Sequence, residues 1–262
     1  MSLGNPTVEE SRRLLQDSLA AAETAISLGA NAHSTRALLL FSTTTDLATV
    51  ESEYGRAIEL QPNMSSVHGH YGVFLSLVGR CSEARTELLR AVDLDPTGEF
   101  AISIAGEFLM YCQDLPSSEH YLIAAMSLDP SYQRARRLAE TVYLLQHKAP
   151  EMLALVDGSE RTDNEKAEIH RAFANGGEAG YRRWGLQRVL IDSVHDHRAI
   201  NLASAYAFAG DRDHALKYLR RAYEQGDPRL KMLRAYPQYW FLYGDPEYNE
   251  LLKRIGLPET RK

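Results

Sequence analysis

The chain has 262 residues, 44% of them hydrophobic and 24% charged, with a formal net charge of −6. That is ample for a large core; no basic block marks nucleic acid as a partner, and no apolar run reaches the ~18–20 residues that a membrane span needs. Two cysteines, Cys81 and Cys112, do not make a disulfide framework and read as reduced thiols, which together with the lack of a signal peptide predicts a cytoplasmic protein.

The opening Met1-Ser2-Leu3 has the look of added residues, which would make the chain a piece of a longer polypeptide. Residues 1–30 are expected to form one N-terminal helix, Val8 to Leu28, whose end, Ala25-Ile26-Ser27-Leu28, mimics the second helix of a repeat. Three units follow, at 31–64, 65–98 and 99–132. They end in Leu60-Gln61-Pro62, Leu94-Asp95-Pro96 and Leu128-Asp129-Pro130, with the prolines 34 residues apart. Before each proline the same sequence of residue types recurs. Ala57, Ala91 and Ala125 stand nearest; then come Tyr54, Leu88 and Leu122; then the small Val50, Ala84 and Ser118. Further back, Gly72 matches Gly106. Small residues at fixed places let two amphipathic helices approach, and proline ends the second helix because it cannot continue the hydrogen-bond ladder. One hairpin cannot bury its apolar face alone, so stacking on neighbours is expected. The first unit is looser, with Ala37, Leu38 and Phe41 in register but an irregular turn at Ser42-Thr43-Thr44-Thr45-Asp46.

The stretch 133–195 reads as degenerate hairpins. Ser131 to Gln146 is a helix, Pro150 to Val156 a short one, and Asp157-Gly158-Ser159 a break. Asp163 to Asn175 and Glu178 to Ser193 flank a turn at Gly176-Gly177. The register returns at 196–229, with Leu202-Ala203, Tyr206, a Gly210-Asp211 turn, Ala215, Leu219, Ala222 and Asp227-Pro228. The last part, 230–262, is an aromatic cap whose core is expected to be Trp240, Phe241 and Leu251, followed by a helix from Glu247 to Ile255.

Tyr71, Gly72, Ala84, Leu88, Ala91 and Pro96 fill the positions that tetratricopeptide (TPR) repeats reserve for these residue types, so the chain resembles that family. The resemblance implies an all-α fold, a right-handed α-α superhelix of about six helical hairpins with a C-terminal cap. Glu53-Tyr54-Gly55-Arg56-Ala57, His68 and Tyr71, with the ending Arg221-Ala222-Tyr223, Asp245-Pro246, Tyr248 and Leu251-Leu252, resemble a TPR subfamily. That subfamily forms the C-terminal regions of bacterial regulators carrying adenylate/guanylate cyclase, winged-helix or Ser/Thr kinase domains. The function so implied is a protein- or peptide-binding regulatory module. The alternative is self-association, or coupling that orders an upstream cyclase-type domain of the same polypeptide, with a homodimer as one outcome.

No residue set suggests catalysis, a metal or a cofactor. His68-Gly69-His70 and His195-Asp196-His197 are pairs without a third ligand, and residues two apart on a helix face different ways. Gly176-Gly177-Glu178-Ala179-Gly180 lacks the lysine and the preceding strand of a phosphate loop, and Asp157-Gly158-Ser159-Glu160 lacks the rest of a calcium loop. In TPR arrays the first helix of each hairpin lines the concave face. Helical spacing then nominates Thr35 and Leu39; Ser66, Gly69, Val73 and Leu77; Phe100, Ser103, Glu107 and Met110; and Arg134, Arg137, Thr141 and Leu144. That groove would be apolar early and basic late, suited to an extended peptide or an amphipathic helix. Thr35, Leu39, Gly69 and Val73 stand where the family's carboxylate clamp would be, which argues against a chaperone co-factor role.

Overall fold

The computed structural model describes residues 8–27, 32–192 and 198–261. Leu28, Ser193 and the whole of His195-Asp196-His197 lie outside the described residues. Among those described, all regular structure is helical, and the helices pack in adjacent pairs. After α1 (Val8–Ser27) come α2 (His33–Thr43) with α3 (Leu47–Leu60), α4 (Ser65–Leu77) with α5 (Cys81–Leu94), and α6 (Glu99–Tyr111) with α7 (Leu115–Leu128). Next are α8 (Gln133–Leu145) with α9 (Ala149–Asp157), then α10 (Asp163–Asp192), and α11 (Ala199–Phe208) with α12 (Arg212–Glu224). Two short 3-10 turns, Pro228–Met232 and Pro237–Leu242, lead to α13 (Pro246–Arg254). The first helices of successive pairs also touch one another: α2 meets α4, α4 meets α6, and α6 meets α8.

The helix boundaries follow from local chemistry. Asp46, Asp114, Asp211 and Asp245 each accept a backbone N–H from the first turn of the helix that they precede, capping α3, α7, α12 and α13. Within the pairs, the recurring small residues sit where helices come closest. A Cβ on Gly72 would lie 2.7 Å from Leu88 Cγ, and one on Gly106 would lie 2.8 Å from Leu122 Cγ. Ser118 replaces the alanine of the neighbouring unit at a fully buried position, and its hydroxyl donates to the Gly106 carbonyl at 2.6 Å. The helix break inside α10 is at Gly176-Gly177. Gly177 has φ +55°, and at Gly180 an added Cβ would run into the carbonyl oxygen of Ala172, so the two halves of α10 cross at close range.

Cys81 and Cys112 are joined in a disulfide, with their Cα atoms 5.3 Å apart. This corrects the reading of two reduced thiols, and with it the thiol argument for a reducing compartment falls. The pairing arises from the stacking. Cys81 opens α5 and Cys112 follows the end of α6, so the turn of one hairpin meets the turn of the next.

The C-terminal segment does more than cover the last pair. From Pro228 it runs back across the inner helices. Met232 and Lys231 border the same hollow as Phe41, Val73 and Leu77, Tyr236 meets Tyr111 edge to face at 5.8 Å, and Arg234 lies against Gly79. A Cβ on Gly256 would lie 2.6 Å from Thr45 Cβ, so the end of the cap touches the irregular turn of the first pair. The cap core is Tyr239, Leu242, Tyr248, Leu251 and Leu252. Phe241, expected in that core, is instead 43% exposed, and Trp240 is half-buried.

A candidate binding groove

The residues nominated for the concave face divide into three groups. Thr35 and Phe100 are exposed, and Leu39, Ser66 and Ser103 are half-buried. Gly69 faces α6, where an added Cβ would meet Ile104 at 2.5 Å, so its smallness serves helix packing. Val73, Leu77 and Met110 are buried, the last only 1% exposed. Val73 and Leu77 line a hollow of about 560 Å³ between α1, α2, α4, α6 and the first 3-10 turn. Met110 lies outside that hollow, and no ligand reaches it without displacing the polypeptide that covers it.

Glu107 is buried and already engaged. Its carboxylate accepts from Arg134 Nε at 3.0 Å and Nη2 at 2.5 Å, and from the Tyr111 hydroxyl at 2.7 Å. The pairing raises the pKa of Arg134, and burial, followed by the Glu107 charge, pushes the Tyr111 hydroxyl well up. Arg134, itself exposed, therefore has its charge matched by the buried Glu107 carboxylate. Arg137, one turn on and exposed, has no carboxylate within ion-pair distance among the described residues.

Thr141 and Leu144 belong elsewhere. They form one wall of an open groove of about 460 Å³ between α8, the second half of α10, α11 and the second 3-10 turn. The other walls are Phe208, Pro237, Trp240 and Phe241, and among the described residues no acidic side chain lines it. The Arg182 guanidinium stands in this groove, donating to the Phe208 carbonyl at 3.2 Å and lying over the Phe208 ring at 5.1 Å. Sequence reasoning weighs the aromatic run, Gln238 included, as a ligand platform but prefers cap core, and it reads Arg182-Arg183 as a solvated helix face. The signal available was the density of aromatics from Tyr236 to Tyr243, more than a cap of this length can bury.

Of the histidines in the first pair, His68 is buried and held by Glu87 at 2.7 Å and the Pro62 carbonyl at 2.9 Å, while His70 packs on Phe100. Among the described residues, no group of three or more His, Cys, Asp or Glu side chains could hold a metal ion, and no helix is long and apolar enough to cross a membrane. No family model matches this chain, and no curated protein matches it at a significant level.

Proposed function

We propose that the chain is a TPR-type helical repeat domain, a right-handed superhelix that binds a protein or peptide segment and serves as the C-terminal regulatory part of a larger bacterial signalling or transcription regulator. One observation supports this reading above the others. The close approach of Gly72 to Leu88 recurs as Gly106 to Leu122, 34 residues on in both members, which is how a repeat built from one hairpin propagates. Repeat rows of this kind present extended surfaces to peptides. The surface in this reading is the open groove beside the cap. The face of α4 and α6 is taken by the chain's own segment.

The test is capture from native lysate by the tagged chain, with the captured protein identified and its saturable binding reproduced with purified components. A chain that binds no protein saturably counts against the proposal. Replacing Met110 with Asp, an obvious choice from the sequence, would bury a charge in the core and report on folding instead.

A second reading, self-association, draws on the groove of about 450 Å³ between α12 and α13, where Leu216, Tyr223 and Leu251 border open space at the end of the row. Light scattering separates it: a monomer across the micromolar range removes it.

A further inference from the structure

We infer that the groove between α8 and the cap is the ligand site, and that its ligand is an extended peptide segment with apolar side chains and a carboxylate. This rests on the binding role proposed above and names the chemistry of the partner. The floor is apolar and aromatic, from Leu144, Phe208, Trp240 and Phe241, and an exposed phenylalanine beside a half-buried tryptophan gives large contact area at low cost in side-chain freedom.

Three polar features fix the class of ligand. Arg182 lies half-buried in the wall, with one carbonyl and one ring as partners and no carboxylate within ion-pair distance among the described residues. Four of its five N–H donors are left for an incoming acceptor. Arg137 stands one turn before Thr141 on the same face of α8, exposed and likewise without a carboxylate. The half-buried amide of Gln238 lines the groove without a hydrogen-bond partner among the described residues, and offers both a donor and an acceptor to a peptide backbone. In a chain of net charge −6, a groove with cations beside it and no acid among its described lining residues is complementary to an anionic segment. Cation, aromatic floor and free amide together fit an extended acidic, apolar peptide.

The protein carries two tryptophans, so Trp184→Phe leaves Trp240 as a reporter inside the groove. Short acetylated and amidated peptides containing leucine, phenylalanine and one aspartate are titrated against this variant by fluorescence, beside the same peptides with asparagine or lysine. Binding should shift Trp240 emission, and the aspartate peptides should bind about tenfold more tightly than the asparagine ones, as a charge-assisted hydrogen bond provides. Arg182→Gln should erase that preference. Phe241→Asp should abolish binding of both, with an unchanged melting curve because Phe241 is exposed. Equal binding of aspartate and asparagine peptides, or a preference that survives Arg182→Gln, overturns the inference. So does a dimer of the chain that Phe241→Asp splits, since the occupant is then a second copy. A protein captured equally by wild type, Arg182→Gln and Phe241→Asp leaves the binding role standing and sinks this site.

Discussion

Lys231 Nζ donates to the carbonyl oxygen of Thr44 at 2.6 Å, bridging 187 residues of sequence, and to the Ile255 carbonyl at the same distance. It lies over the Phe41 ring at 5.5 Å, and burial lowers its pKa from 10.5 to about 8. A neutral amine still has two N–H bonds for the two carbonyls. Between pH 8 and 10.5 the unfolded chain holds a proton at Lys231 that the folded chain has shed, so this residue's contribution to stability rises with pH across that window. From about pH 10 an opposing effect enters. Tyr54, Tyr239 and Tyr248 are held neutral by burial and ionise only on unfolding, which favours the unfolded state. Relative to Lys231→Met, the wild-type melting temperature should therefore improve between pH 8 and 10, and both proteins should lose stability above it. A pH-independent difference between the two would show that Lys231 does not titrate in that range.

Gly72 and Gly55 make a matched pair. Gly72→Ala places a methyl 2.7 Å from Leu88 Cγ and 3.1 Å from the Leu88 nitrogen, which is backbone and cannot yield. Overpacking should cost about 1–3 kcal/mol in chemical denaturation. Gly55 sits within α3, exposed, with nothing near its Cβ position. Gly55→Ala should stabilise by about 0.5–1 kcal/mol through helix propensity alone.

Breaking the Cys81–Cys112 bond should lower stability. The two residues are 31 apart in sequence, and closing a loop of that size in the unfolded chain gives about 3–4 kcal/mol by the chain-entropy estimate. Cys81→Ser with Cys112→Ser, and the wild type under a phosphine reductant, should show the same fall in denaturation midpoint. Mass analysis of the alkylated protein should show no free thiol before reduction.

Arg161 forms two bonds with Glu140, at 2.7 and 2.8 Å, and the carboxylate is only 4% exposed. Arg161→Met strands that charge, and should cost about 3 kcal/mol or more. The double variant Arg161→Met with Glu140→Met should recover most of the loss; a double variant no better than the single would show that packing around Arg161 matters more than the charge.

The pairing of helices was legible because it rests on close approach, and close approach demands small residues in fixed register. Gly72, Ala84 and Ala91 are visible in a sequence for that reason. The turns within the pairs were less legible. Gly79, Gln113 and His147 all have positive φ and lie 34 residues apart, yet only the first is the residue type that marks such a turn. The register thus extends into α8 and α9, where side-chain identities have eroded but the backbone path has not. The groove beside the cap was not legible, because its walls come from α8, α10, α11 and the second 3-10 turn, which no local period relates. Nor was the filling of the inner face at Val73, Leu77 and Met110, since apolar residues on a first helix read alike whether they await a ligand or a distant part of the same chain.

A row of hairpins joined only to its neighbours can shed its last member and keep the rest. Here Gly256 against Thr45 and Lys231 against Thr44 tie the C-terminal segment to the opening pair, so that segment is not an end free to fray. Cutting the chain before Pro228 would bare Phe41, Val73 and Leu77 in the opening hairpins, so loss of the tail would be felt most at the opposite side of the protein. Proteolysis and hydrogen exchange should find the first pair and the cap opening as one event, with the cysteine-linked pairs between them the last to yield.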